Sequence, residues 1–157
     1  MLPKYLLVFF VSMLPLVELR LAVPLALSME LPFLPSLVVC VIGNILPVPF
    51  LYLFARKFLV WGVDKPYVGK ACRFFLVKGH NAGERLARRA GRGSLFFALL
   101  LFVGIPLPGT GAWTGTLGAS FLDMGVKSTA VAVSLGVIIA GCIMALTSAG
   151  VFSIIGL

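Results

Sequence analysis

Glu18 and Arg20 stand two residues apart inside an apolar stretch, residues 5–29, that is interrupted by Pro15 and Pro24. A charge in such a run costs a few kcal/mol in lipid, so it marks a functional site unless it is paired or reaches the interface. On a regular helix the two side chains would point about 200° apart, which argues against a simple salt bridge between them. Non-helical backbone between the two prolines would let both face one cavity, where Glu18 can hold a cation or a proton and Arg20 can fork onto a carboxylate or phosphate. The alternative is structural: Glu18 pairs with another base, or both residues snorkel. Further along, Thr110, Trp113 and Thr114 follow a Pro- and Gly-rich break, where a new helix N-terminus would present unpaired N–H groups to an anion. Asn44, just before Pro47 and Pro49, could bond an opened backbone, a neighbouring helix or a ligand. These six residues are the candidate substrate- or ion-binding set.

The elements that must carry them are apolar. The chain has 157 residues, 61% apolar and 11% charged, a balance foreign to a soluble domain. Its net charge of +8 resides entirely in residues 56–92, which hold ten bases and two acids. That concentration reads as membrane topology rather than nucleic-acid binding, and it puts the connector, residues 61–93, in the cytoplasm. Residues 33–55, 93–122 and 128–157 carry no charge. The first of these would rise about 35 Å as a helix, enough to cross a hydrocarbon core of about 30 Å. The N-terminal stretch reads as a retained membrane segment rather than a cleaved signal peptide. The spacing of Cys40, Cys72 and Cys142 suits neither a disulfide nor a metal site, and no metal or cofactor is expected. No hydrolytic constellation is present, so an enzyme is not expected.

Chain breaks organise the remainder. Pro106 and Pro108 cannot donate, and Gly109 and Gly111 favour departure from helical angles, so a regular helix should stop there. The flanking arms, residues 94–104 and 111–122, would each rise roughly 16 to 18 Å and cannot cross alone. Two such arms describe a re-entrant hairpin, with one kinked, tilted helix as the alternative. An offset of 93 residues lays Pro15 on Pro108, Glu30 on Asp123 and Gly43 on Gly136. The expected fold is therefore an all-α integral membrane protein. It comprises two inverted repeats, residues 1–60 and 94–157, each a hairpin plus one transmembrane helix, joined by a basic amphipathic connector. Both termini are then outside. Pro15, Pro24, Pro47, Pro49, Pro106, Pro108, Gly109 and Gly111 are the expected breaks. Small-residue stripes at Gly111, Gly115 and Gly118 and at Ala132, Gly136 and Ala140 read as close helix packing, His80 as solvated, and Glu30 and Asp123 as interfacial.

The string from Phe102 to Gly115, FVGIPLPGTGAWTG, resembles the small multidrug export protein family, as do Pro15-x-x-Glu18-x-Arg20-x-x-x-Pro24 and Gly43-Asn44 upstream. The resemblance covers nearly the whole chain. It implies a multi-pass inner-membrane transporter of a prokaryote. The pattern of two proline-containing hairpins is also similar to the broader DedA-type membrane proteins, implicated in moving lipids and in proton-coupled transport. The chain lacks the arginine-rich signature of those proteins, for which Arg88, Arg89 and Arg92 are the available substitutes. The functions in view are export of a small amphipathic substrate with proton coupling, translocation of a lipid phosphate, or a non-transporting scaffold. Expected partners are membrane lipids, the substrate and further copies of the chain, with no nucleic acid.

Overall fold

The computed structural model describes residues 2–15, 17–107 and 110–155. Among them every regular element is helical: α1 (Leu2–Met13), α2 (Glu18–Ser28), α3 (Phe33–Ile45), α4 (Val48–Gly62), α5 (Gly69–Ala90), α6 (Arg92–Gly104), α7 (Ala112–Phe121) and α8 (Val126–Ile155). Two stretches, Phe33–Gly62 and Val126–Ser148, are long and apolar enough to cross a membrane. The four arms α1, α2, α6 and α7 have 10 to 13 residues each and are too short to do so.

Proline chemistry ends the first arm of each pair. Leu14 precedes Pro15, and α1 stops at Met13. Ile105 precedes Pro106, takes an extended conformation with φ −89° and ψ 113°, and ends α6. Two expected breaks are corrected. Pro24 lies inside α2, which runs on around it. The buried face formed by Leu19, Ala22, Val23 and Ala26 outweighs the donor that Pro24 lacks. Pro47 and Pro49 interrupt helical assignment only at residues 46–47, whose backbone stays in the right-handed helical region. Pro49 falls in the first turn of α4, where its missing N–H would have had no intrahelical partner. Pro108 and Gly109 lie outside the described residues.

The second arm of each pair ends in one and the same turn. Glu30 and Asp123 sit in the left-handed region at φ 58° and 60°. After α2, Leu31 donates to Ala26 and Glu30 to Leu27; after α7, Met124 donates to Ala119 and Asp123 to Ser120. Each pair of bonds closes a Schellman cap, and every member is 93 residues from its counterpart. The packing has the same order. α1 lies on α3 and α6 lies on α8, while α2 reaches across to α8 and α7 reaches across to α4. Gly43 of α3 brings its backbone so near α1 that an added Cβ would sit 2.7 Å from the Phe9 carbonyl oxygen. Gly136 of α8 does likewise against α6, 2.9 Å from the Leu100 carbonyl oxygen. These arrangements bring the described residues of the two chain breaks against each other, with Met13, Glu18 and Arg20 on one side and Thr110, Ala112 and Trp113 on the other. The basic connector is largely α5, which packs on α4, α6 and α7.

Candidate functional site

The site lies where the breaks meet. Glu18 opens α2 in the left-handed region, φ 47°, and is 5% exposed. Its carboxylate accepts hydrogen bonds from two backbone N–H groups in the first turn of α7, Ala112 at 3.2 Å and Trp113 at 3.0 Å. A carboxylate at a helix N-terminus satisfies orphan donors and meets the positive end of the helix dipole, which together contribute up to about 2 kcal/mol in partly buried settings. Arg20, two residues further into α2, donates to the Thr110 carbonyl oxygen, and to the Thr110 hydroxyl at 2.7 Å. The Trp113 indole N–H returns the contact by donating to the Met13 carbonyl oxygen at 3.1 Å. Glu18 and Arg20 thus spend their charge on the backbone of the opposite break.

Gly111 makes this approach possible. Its φ of 148° suits glycine, and an added Cβ would occupy the place of the Glu18 carboxylate. Thr110 is tied into its own loop as well: its hydroxyl lies 2.9 Å from the Ile105 carbonyl oxygen, and the Leu107 N–H donates to it at 3.2 Å. Between the breaks lies a cavity of about 10 Å³, lined among others by Glu18, Arg20, Asn44, Pro106 and Gly111. It has room for one water at most. Asn44 is 2% exposed, and its side-chain oxygen has no hydrogen-bond partner.

Of the six candidate residues, the structure brings together Glu18, Arg20, Asn44, Thr110 and Trp113. Thr114 stands apart, with its hydroxyl 3.4 Å from the Gly111 carbonyl oxygen. It lines instead an apolar groove of about 270 Å³ between α6 and α7, with Leu95, Ala98, Leu99, Phe102 and Gly118.

The family model described as "Putative small multi-drug export protein" matches residues 18–143. The chain belongs to that family. No curated protein and no solved structure matches the chain. The span that carries family membership begins at Glu18 and takes in Arg20, Asn44, Thr110 and Trp113, so both sides of the junction belong to it.

A second charged cluster in this family member went unread in the sequence. Arg56 of α4 pairs with Asp123 at 2.6 Å, and His80 of α5 lies 3.3 Å from the other oxygen of the same carboxylate. His80 is about half exposed, and it also lies 3.8 Å from Glu84. His80 is solvated, as expected, and in addition its ring lies against Asp123 in the turn between α7 and α8. The available signal was scarcity, because Asp123 is the sole acid after Glu84 and Arg56 is the first base after the charge-free run.

Proposed function

We propose that this helical membrane protein is a proton-coupled exporter of small amphipathic molecules whose two chain breaks form the closed gate of the transport path. Membership in an export family supports a transporter. The observation that carries the gate is the reciprocal clasp, in which Glu18 and Arg20 hold α7 and Thr110 while Trp113 holds Met13. Such bonds can be exchanged for water or substrate without disturbing the packing of α1 on α3 or of α6 on α8. With only about 10 Å³ between the breaks, this is a closed state. Protonation of Glu18 removes the charge that holds the first turn of α7, which gives the proton a direct way to loosen the gate.

The short arms and the matched Schellman caps support two re-entrant hairpins, each followed by one crossing helix. Each half then crosses an odd number of times, so the second is inverted relative to the first. The basic connector would lie on the cytoplasmic face of the inner membrane, with both termini outside. The apolar groove between α6 and α7 supplies a surface for the substrate's apolar part, and Arg20 and the first turn of α7 supply polar groups for its head. That groove also favours a second reading, translocation of a lipid phosphate, with the acyl chain in the groove and the phosphate on Arg20.

The test is reconstitution into vesicles with an imposed proton gradient. Efflux of a fluorescent amphipathic dye is expected to follow the gradient in the wild type, to lose that dependence in Glu18→Gln, and to fall in Arg20→Lys, which keeps charge without the planar fork. Scrambling of a fluorescent phospholipid in place of dye efflux would favour the second reading. Neither activity would leave a scaffold.

A further inference from the structure

Glu18 behaves in this structure as a ligand would. A carboxylate sits on two N–H groups in the first turn of a ten-residue helix, with a guanidinium in the same cavity and Gly111 opening the space it occupies. Those are the parts of an anion site, filled from within the chain. Asn44 is the second, independent observation. Asn44 lines the same cavity, and its side-chain oxygen is buried and accepts nothing. An orphaned acceptor is costly, so a donor is wanted there in some state of the protein. An ionised carboxylate cannot donate; a protonated one can.

We propose that the first turn of α7, together with Arg20, is the binding site for an oxyanion of the transported amphiphile, a carboxylate or a phosphate, which Glu18 plugs in the closed protein. A proton taken up from water by Glu18 lets its hydroxyl turn to the Asn44 oxygen. The N–H groups of Ala112 and Trp113 are then free for the substrate's anionic head. This deepens the proton-coupled export reading and rests on it for the direction of coupling. It adds the substrate class and a positioning role for Asn44. The charged and titratable neighbours are few. Of the elements packed on α2, α1 carries Lys4 and Tyr5, α3 carries Cys40, and α8 carries Lys127 and Cys142. None of these lines the cavity, where Arg20 is the other charged group.

The experiment measures binding of dodecyl phosphate, which keeps a negative charge at acid pH, to the purified full-length protein at pH 5 and pH 8. Decanoate at pH 8 serves as the carboxylate arm and dodecyltrimethylammonium as the cationic one. The wild type is expected to bind dodecyl phosphate at least about tenfold tighter at pH 5, the scale of one or two charge-assisted hydrogen bonds. Glu18→Ala is expected to bind it tightly at both pH values, and to gain decanoate binding at pH 8. Asn44→Leu is expected to lose most of the acid gain. The idea is overturned if Glu18→Ala binds no tighter than the wild type at pH 8, if Asn44→Leu keeps the full acid gain, or if the cation binds as well as the anions. Should Glu18→Ala fail to fold, the pH profiles of the wild type and Asn44→Leu decide alone. Binding is read without a membrane, so absent export in vesicles would sink the export reading and leave this result standing. Tight but pH-independent binding by a protein that exports would do the reverse.

Discussion

Among the described residues two clusters each contain a carboxylate and an arginine, and the protein uses them in opposite ways. At the junction of the breaks, Glu18 and Arg20 are neighbours in sequence, yet each bonds the opposite break, Glu18 through backbone N–H groups of α7 and Arg20 through Thr110. At the connector end, Asp123 and Arg56 come from distant elements and bond each other directly, with His80 alongside. Glu18 is 5% exposed, whereas the side chains of Asp123 and Arg56 keep about a third of their surface. Water screens the outer pair and makes it a modest tie. Burial of Glu18, with Arg20 half-buried beside it, makes the carboxylate's bonds costlier to break and gives a change of protonation leverage over the fold.

The largest contrast is expected on removing one partner. Glu18→Leu strips the buried N–H of Ala112 of its charged acceptor and should lower unfolding stability by about 2–3 kcal/mol, and Arg20→Met, whose bonds to Thr110 are part-buried, by about 1–2 kcal/mol, against less than about 1 kcal/mol for Asp123→Asn. Thermal unfolding in detergent measures both. Because Glu18 and Arg20 serve different partners, the double variant Glu18→Leu/Arg20→Met should be less stable than either single one. Recovery of stability in the double variant would show that the two act as a simple pair.

Next in size is Gly111→Ala. It places a Cβ in the carboxylate's position at an unfavourable φ and should cost about 1–3 kcal/mol, with export falling alongside. Gly136→Ala, at the contact of α8 with α6, should cost about as much through overpacking while leaving the gate intact. A loss of proton dependence in Gly136→Ala equal to that in Gly111→Ala would erase the distinction between gate and frame.

The smallest effect belongs to the outer cluster. The loss in Asp123→Asn should shrink further on raising salt from 0.05 M to 0.5 M, while the loss in Arg20→Met should hold. Equal salt sensitivity of the two would mean that water reaches the inner set.

The ends of the arms were legible because proline acts locally. The arms expected at 94–104 and 111–122 appear as Arg92–Gly104 and Ala112–Phe121. Proline was misleading where packing outvoted it, as at Pro24 in the buried face of α2 and at Pro49 in a first turn that needs no donor. The 93-residue offset survives in backbone detail, since both turns need the same left-handed residue after the same helix end. Residue types and position marked Glu18, Arg20, Asn44 and Trp113 for attention. Their partners were not legible, because the N–H groups of residues 112 and 113 and the carbonyl oxygens of Met13 and Thr110 carry no side-chain signature.

The separation of the two breaks is the quantity on which the account turns. Leu14 and Leu107 are exposed, lie in opposite breaks and are 93 residues apart, so spin labels at Leu14→Cys and Leu107→Cys, with Cys142→Ser to remove the exposed native thiol, report it directly. Pulsed electron resonance in vesicles should show one short distance at pH 8 and a second, longer population at pH 5 or with transported dye, with Glu18→Gln shifted to the longer one at both pH values. A single unchanged distance in every condition and in the variant would contradict the gate.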